Sequence, residues 1–547
     1  MAKQTILLLA FFSLLFVNLY AQEDQKTMGE AIHEIIAPFA DDQSPGMAVG
    51  VVEDGVITHE FYLGNANLDH MVKVNESTRF NIASNCKQFT ALMILKLAEE
   101  GKLQLEEDFR QYIPDVLENI ESPITIAQLI SHTSGVRDVY DLWALTGKSW
   151  WQLFIDNDDA IELLATQTAL NFEPGTDFLY SNSNYLLLAK IVEAVTEERF
   201  SDYAKAMFVE LGMEETEFLR YYSLIIPNQA TAYGDWGSGW RECPNVVSVH
   251  GDGALYTTLP DQLKWEQIIQ NNDGSYFTQA FIEQSQSPID RDYGFGTVIG
   301  ETQGYDYVFH NGATCAYNAN FLRFPSERLS IVVMANGIGA TSEYLAWQIA
   351  RLYLEMETGS GAYAANPSEI EQLSNIEDVV GNYQHEDGTV IRISLQNDTL
   401  YREMYQRDPV KLIPEEGGLF EYETIAGLKM NFENIGTADQ QFTLYKSTQA
   451  PSTYRKLPNT ELSGFEWEAL NGSYNDPDTG TEIILKYRGD NLYALTKNGR
   501  EREAELFMRD NLRMNSYNIS ILRDDNGKVI GLNVNNNRIQ NVIFDRN

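Results

Sequence analysis

Strand-forming runs at the two ends of one long stretch, with helical signals between them, constrain this chain more than any other feature. Met47 to Val52 and Val56 to Leu63 are rich in β-formers and are joined by Glu53-Asp54-Gly55, a hairpin signal. Thr314 to Phe324 and Leu329 to Met334 flank Pro325-Ser326-Glu327-Arg328, which reads as a second hairpin. Met28, Ile32, Ile35, Ile36 and Phe39 recur at helical spacing before the first hairpin. Tyr344, Leu345, Ile349, Leu352 and Tyr353 do the same after the second. This pattern predicts an α+β domain whose antiparallel sheet is assembled from both chain ends and flanked by helices. The middle then forms a helical subdomain, and a site is expected in the cleft between the two parts.

A chain of 547 residues is too long for one such core. After about residue 360 its character changes. Gly361-Ala362-Tyr363-Ala364-Ala365-Asn366-Pro367 reads as a linker, and strand signals dominate beyond Leu373. Gly381-Asn382-Tyr383 matches Gly472-Ser473-Tyr474, and Leu400-Tyr401 matches Leu492-Tyr493, at concordant offsets of 91 and 92 residues. The tail is therefore expected to be a duplicated, all-β, barrel-like module. The expected divisions are a signal peptide at 1–21, the α+β domain at 22–360, and β modules at 361–460 and 461–547.

Lys3, the apolar run Ile6 to Val17 broken only by Ser13, and Leu19-Tyr20-Ala21 have the form of an export signal with its cleavage site. The run is short for a bilayer span, and no later stretch is long and apolar enough for one. The expectation is a periplasmic or secreted protein without a membrane span once the signal is removed. A net charge of -40, from 79 acidic against 39 basic residues, argues against nucleic acid or anionic lipid as a partner. Cys86, Cys243 and Cys315 suggest neither a disulfide framework nor a metal cluster. They are read as small buried hydrophobes, with at least one thiol free.

Ser84-Asn85-Cys86-Lys87 opens a strongly apolar segment that runs to Leu97. Serine one turn ahead of lysine places both on one helix face. A serine hydroxyl needs a neighbouring base to become a nucleophile, and a lysine in a desolvated site can serve. Cys86 or Cys315 as nucleophile is the lesser alternative, because Cys86 should point away from Lys87. Tyr180-Ser181-Asn182 precedes the helical run Tyr185 to Val195; its tyrosine can relay a proton and its amide can orient substrate or Lys87. His310-Asn311-Gly312 precedes the strand expected from Thr314, and Gly312 would let a substrate backbone lie close. The Ala313 amide could join that of Ser84 around an oxyanion.

Ser84-x-x-Lys87, Tyr180-x-Asn182 and His310-x-Gly312 occur in the order seen in serine β-lactamases and penicillin-recognising peptidases. The chain resembles their class C β-lactamase-related branch over roughly residues 28–356. Intervening phrases carry the same resemblance, including Leu129-Ile130-Ser131-His132-Thr133-Ser134-Gly135, Glu173-Pro174-Gly175-Thr176, Leu211-Gly212-Met213 and Gly251-Asp252-Gly253-Ala254-Leu255-Tyr256-Thr257-Thr258. The resemblance implies a serine β-lactamase-like fold and an acyl-enzyme on Ser84, with Lys87 and Tyr180 sharing the proton transfers. Asn182 would orient a small-molecule or short-peptide substrate and His310 would line the pocket, with no cofactor or metal; His132 is expected to be structural. True class C β-lactamases carry lysine where this chain has His310. Histidine there is similar to esterases and D-aminopeptidases of the branch, and the β tail resembles the D-aminopeptidase architecture, so peptides of D-amino acids are the favoured substrates. A carboxylesterase or transacylase, a β-lactamase, and a sensor of cell-wall fragments are the alternatives.

Overall fold

The computed structural model describes residues 26–547 apart from 148–153, 236–238, 245–246, 338–341, 357–374, 386–389, 404–408, 415–418, 423–424, 447–448, 459–465, 490, 497–500 and 515–516. The expected export signal and the linker at 361–367 lie outside the described residues.

The two chain ends do build one sheet. Its eight antiparallel strands run in the spatial order Pro288–Asp290, Tyr293–Gly294, Val298–Thr302, Tyr305–Thr314, Tyr317–Phe324, Leu329–Ala335, Met47–Glu53 and Val56–Leu63. Met47–Glu53 is the seam, with Val49 opposite Val333 on one side and Phe61 on the other. Its side chains alternate between two cores. Val49, Val51, Ile331 and Val333 pack with the terminal helices Met28–Ile36 and Ser342–Tyr353. Ala48, Val52, Val332 and Met334 face the opposite core, which holds Phe89, Leu263 and Trp265. Both faces are covered, so these central strands read as continuous apolar runs. Thr27 caps the first helix by accepting the Glu30 amide, while the Glu30 carboxylate accepts the Thr27 N–H.

One predicted strand is corrected. The run from Thr314 to Phe324 is broken by a turn at Cys315-Ala316, so Thr314 ends the strand Tyr305–Thr314 and the next begins at Tyr317. His310, Asn311 and Gly312 therefore lie within a strand, where the sequence placed them ahead of one. The cysteine reading is corrected as well. Cys243 and Cys315 form a disulfide with Cα atoms 5.9 Å apart, and Cys86 is a buried free thiol. The fold brings that pair together across 72 residues of sequence.

The tail folds as two closed eight-stranded barrels. In the first, Gly381–Gln384 pairs with the last strand, Gln449–Lys456; in the second, Gly472–Asp476 pairs with Val542–Arg546. The repeated sequence pairs occupy equivalent places. Tyr383 donates to the Val379 carbonyl and Tyr474 to that of Leu470, each at 2.8 Å. Leu400-Tyr401 and Leu492-Tyr493 each lie on the third strand of their barrel. Among the described residues no helix is long and apolar enough to cross a membrane.

Candidate active site

Ser84 lies in a 3-10 turn, Ala83–Cys86, that leads into the helix Lys87–Glu99. The Asn81 side chain accepts the Ala83 N–H at 2.8 Å and tightens the entry to that turn. Almost every residue of the helix up to Leu97 is buried, so Lys87 is carried inside and is 0 % exposed. Its Nζ stands 3.1 Å from Ser84 Oγ, 3.0 Å from Asn182 Oδ1 and 2.7 Å from the Asp252 carbonyl. Asn182 and Asp252 take two N–H groups, leaving the third tetrahedral direction of the amine facing Ser84. The next residue, Gln88, is fixed by a buried network: its Oε1 accepts from Trp265 Nε1 and from Arg323, which is paired bidentately with Glu266.

Asn182 is held from behind. Asp138 Oδ2 accepts both its backbone N–H, at 2.7 Å, and its Nδ2, at 2.8 Å. Oδ1 of the same carboxylate caps the helix Val139–Leu145 through the Tyr140 and Asp141 N–H groups. Tyr180 lies with its ring 5.1 Å from Lys87 Nζ and 4.3 Å from the His132 ring. His132 is buried and accepts at Nδ1 from the Ser181 N–H, with Asn184 Nδ2 also 3.0 Å away. Burial and Lys87 hold its imidazole well below the usual histidine range, so it packs as a neutral ring under Tyr180.

The third sequence motif is placed differently from expectation. His310 is only 3 % exposed. Its Nδ1 lies 2.5 Å from the Asn311 carbonyl, which can only accept, so Nε2 is left to accept from Tyr293 OH at 3.1 Å. Burial and Lys87 push this imidazole down to about 3, so it is neutral in ordinary buffers, unlike a lysine. Gly312 faces the chain itself: a Cβ there would meet the Ile82 carbonyl at 2.1 Å and Ser84 N at 3.1 Å. The close approach that requires glycine is thus with the turn that carries Ser84. The cleft wall beside Ser84 is made by Ala313 and Thr314. Cys86 points elsewhere, its Sγ 3.7 Å from the Gly251 carbonyl, and burial raises its thiol far above the ordinary range.

Ser84 opens on a cleft of about 390 Å³, which Asn182, Ala313 and Thr314 also line. Several further lining residues were not singled out from sequence: Tyr140, Asp141, Asp252, and Asn537 and Arg538 of the second barrel. The loop between Val529–Asn535 and Val542–Arg546 reaches back to the catalytic domain. The Asn541 carbonyl accepts from Arg137, Gln540 N–H donates to Asn171 Oδ1, and Asn536 donates to Asp141. Arg538 then lies 3.7 Å from Asp138 Oδ2, with its guanidinium 5.4 Å from the Tyr180 ring centre. Asp252 stood within a phrase already quoted for its resemblance; Arg538 is preceded only by asparagines, a loop signal without an address. Among the described residues no group of three or more His, Cys, Asp or Glu side chains is placed to hold a metal.

Residues 32–354, more than half of the chain, match the family model described as Beta-lactamase. A D-aminopeptidase of Brucella anthropi is 30 % identical over 307 residues, which cover 55 % of this chain and 58 % of that protein. A D-aminopeptidase of Gluconobacter oxydans (strain 621H) is 30 % identical over 306 residues, covering 54 % and 56 % respectively. The chain thus spans less than two thirds of the length of these relatives. In fold, it is similar to the octameric penicillin-binding protein homologue from Pyrococcus abyssi, with a TM-score of 0.57 and 23 % identity over 79 % of this chain and 100 % of that one.

Proposed function

From the premise that this chain belongs to the Beta-lactamase family of serine hydrolases, we propose that it is an exported hydrolase of small amides and peptides, D-amino-acid peptides foremost. The observation that carries the reading is the contact of Lys87 Nζ with Ser84 Oγ at 3.1 Å inside a fixed, buried frame. Ser84 Oγ attacks the substrate carbonyl, and its proton passes to the Lys87–Tyr180 pair. The N–H groups of Ser84 and Ala313 stabilise the oxyanion. That proton then leaves with the departing amine, and water releases the acyl group from Ser84. The scheme calls for no cofactor.

Preference for D-amino-acid peptides is supported by the two relatives, both D-aminopeptidases. The neutral His310, in place of a lysine, argues against β-lactam carboxylate recognition at that position. Export is supported by the form of residues 1–21 and by the Cys243–Cys315 bond, of a kind that persists in oxidising compartments.

The test is one panel of a chromogenic cephalosporin, a p-nitrophenyl ester and D-alanine p-nitroanilide, run on the mature protein and on Ser84→Ala. Turnover of the anilide by the wild type alone is expected. A preference for the cephalosporin would overturn the substrate assignment, and turnover by Ser84→Ala would overturn the mechanism.

A further inference from the structure

We infer that Asp252 is a specificity-determining residue of this cleft, receiving the free α-ammonium group of the substrate; the inference rests on the amino-acid peptide reading above. Three carboxylates stand near Ser84, and their hydrogen bonds separate them. Asp138 is fully engaged, accepting four N–H groups and lying beside Arg538. Asp141 accepts from Asn536 and shares the side of the cleft that Arg538 occupies, where a second cation is repelled. Asp252 differs. Its Oδ2 accepts from Tyr140 OH at 2.9 Å, but its Oδ1, although buried, accepts no hydrogen bond from any other of the described residues.

A buried carboxylate oxygen without a donor is costly, and a substrate N⁺–H would satisfy it with a charge-assisted hydrogen bond. The surrounding backbone places the group for this. Gly251 has φ +102, and a Cβ there would meet Ala189 Cβ at 2.6 Å and the Tyr185 carbonyl at 2.7 Å. That close packing seats the Asp252 carbonyl on Lys87 Nζ, one hydrogen bond from the nucleophile. On the other side, a Cβ on Gly253 would meet nothing within 4 Å beyond its chain neighbours, and Asp252 and Gly253 both line the cleft. An amino acid acylated on Ser84 carries its amine one carbon from the attacked carbonyl, and Asp252 lines the same cleft as Ser84. Burial raises the Asp252 carboxyl and Lys87 opposes that shift; an arriving ammonium would favour the charged form further.

The test compares kcat/KM for D-alanine p-nitroanilide, its D-lactoyl analogue with hydroxyl in place of amine, and p-nitrophenyl acetate. The proteins are the full mature chain, Asp252→Asn, and Tyr140→Phe. Wild type is expected to prefer the amine over the hydroxyl. In Asp252→Asn that preference should fall about 10- to 100-fold, a ratio that a general loss acting through Lys87 would leave unchanged. Tyr140→Phe keeps the carboxylate but removes the hydroxyl that orients it, and should lower the same preference several-fold. If Asp252→Asn lowers all three substrates equally, the residue acts through Lys87 and the inference falls while the substrate reading stands. An unchanged preference in either folded variant also overturns it. A wild type that favours the lactoyl compound overturns both.

Discussion

Opening the Cys243–Cys315 bond tests how firmly the turn beside the cleft is held. The bond closes a loop of 72 residues, and Cys315 directly follows Thr314 on the cleft wall. In the chain-entropy account, releasing a loop of that length frees the unfolded chain by about 4 kcal/mol at 25 °C. Alanine at both positions is the appropriate perturbation. It adds no unpaired thiol to Cys86, and it keeps a Cβ at position 315, where φ is +50, so no left-handed strain is relieved as glycine would relieve it. With a urea m-value of about 3 kcal/mol per molar, the midpoint for the catalytic domain should fall by about 1 M or more. Tryptophan fluorescence in a urea titration measures it, with thiol titration of the denatured wild type confirming one free thiol. A variant midpoint within about 0.2 M of wild type would refute the reasoning, since the closed loop would then not limit the unfolded chain. Three free thiols in the wild type would refute the pairing itself.

The frame around Lys87 makes further demands. Asp138→Ala removes the acceptor for four N–H groups, worth about 1 kcal/mol for the helix cap and about 1.5–3 kcal/mol for each bond to Asn182. Its kcat/KM for the anilide should drop at least about 100-fold, together with the urea midpoint; wild-type kinetics would show that Asn182 does not depend on Asp138. Arg538→Ala removes the guanidinium over Tyr180, and kcat/KM should fall about 10-fold with circular dichroism unchanged; an unaltered rate would make the barrel loop a passive wall. Burial and the neighbouring Asp138 raise the Asp141 carboxyl to about 6. Its contribution to stability is therefore present below its ordinary pKa and lost as pH rises through about 6. Denaturant midpoints measured from pH 4 to 7 should show this decline in wild type and less of it in Asp141→Asn, and parallel profiles would count against the assignment.

What could be read from sequence was what local spacing decides. Serine and lysine three apart at the head of an apolar helix must share a face, and Lys87 Nζ does meet Ser84 Oγ. The β runs at the two chain ends had to find partners, and Met47–Glu53 supplies the seam. The repeated Gly-x-Tyr could be recognised because each copy opens a barrel with the tyrosine turned back on the preceding 3-10 turn. The error at Thr314 has an equally local cause. Thr314, Tyr317 and Phe321 read as one β-run, and the two-residue turn at Cys315-Ala316 contains neither glycine nor asparagine to announce it. Once the turn is misplaced, His310 is moved off its strand, and Gly312 is matched to substrate instead of to the Ile82 carbonyl.

The remaining parts of the site depend on contacts between residues hundreds of positions apart, which no local pattern encodes. Asn171 and Arg137 are polar residues of the helical subdomain, and their burial looks unfavourable until the second barrel is docked on them. Arg137 then donates to the Asn541 carbonyl, and Asn171 bonds to both Gln540 and Arg538 backbone groups. Those bonds fix a loop whose own shape comes from Asn536, which accepts the Arg538 and Ile539 N–H groups. Only with both sets of bonds made does Arg538 stand between Asp138 and Tyr180. The accessory barrel and the buried polar residues of the catalytic domain thus explain each other. Without the barrel loop, the cleft that Ser84 and Asn182 line would lack the wall that Asn537 and Arg538 supply.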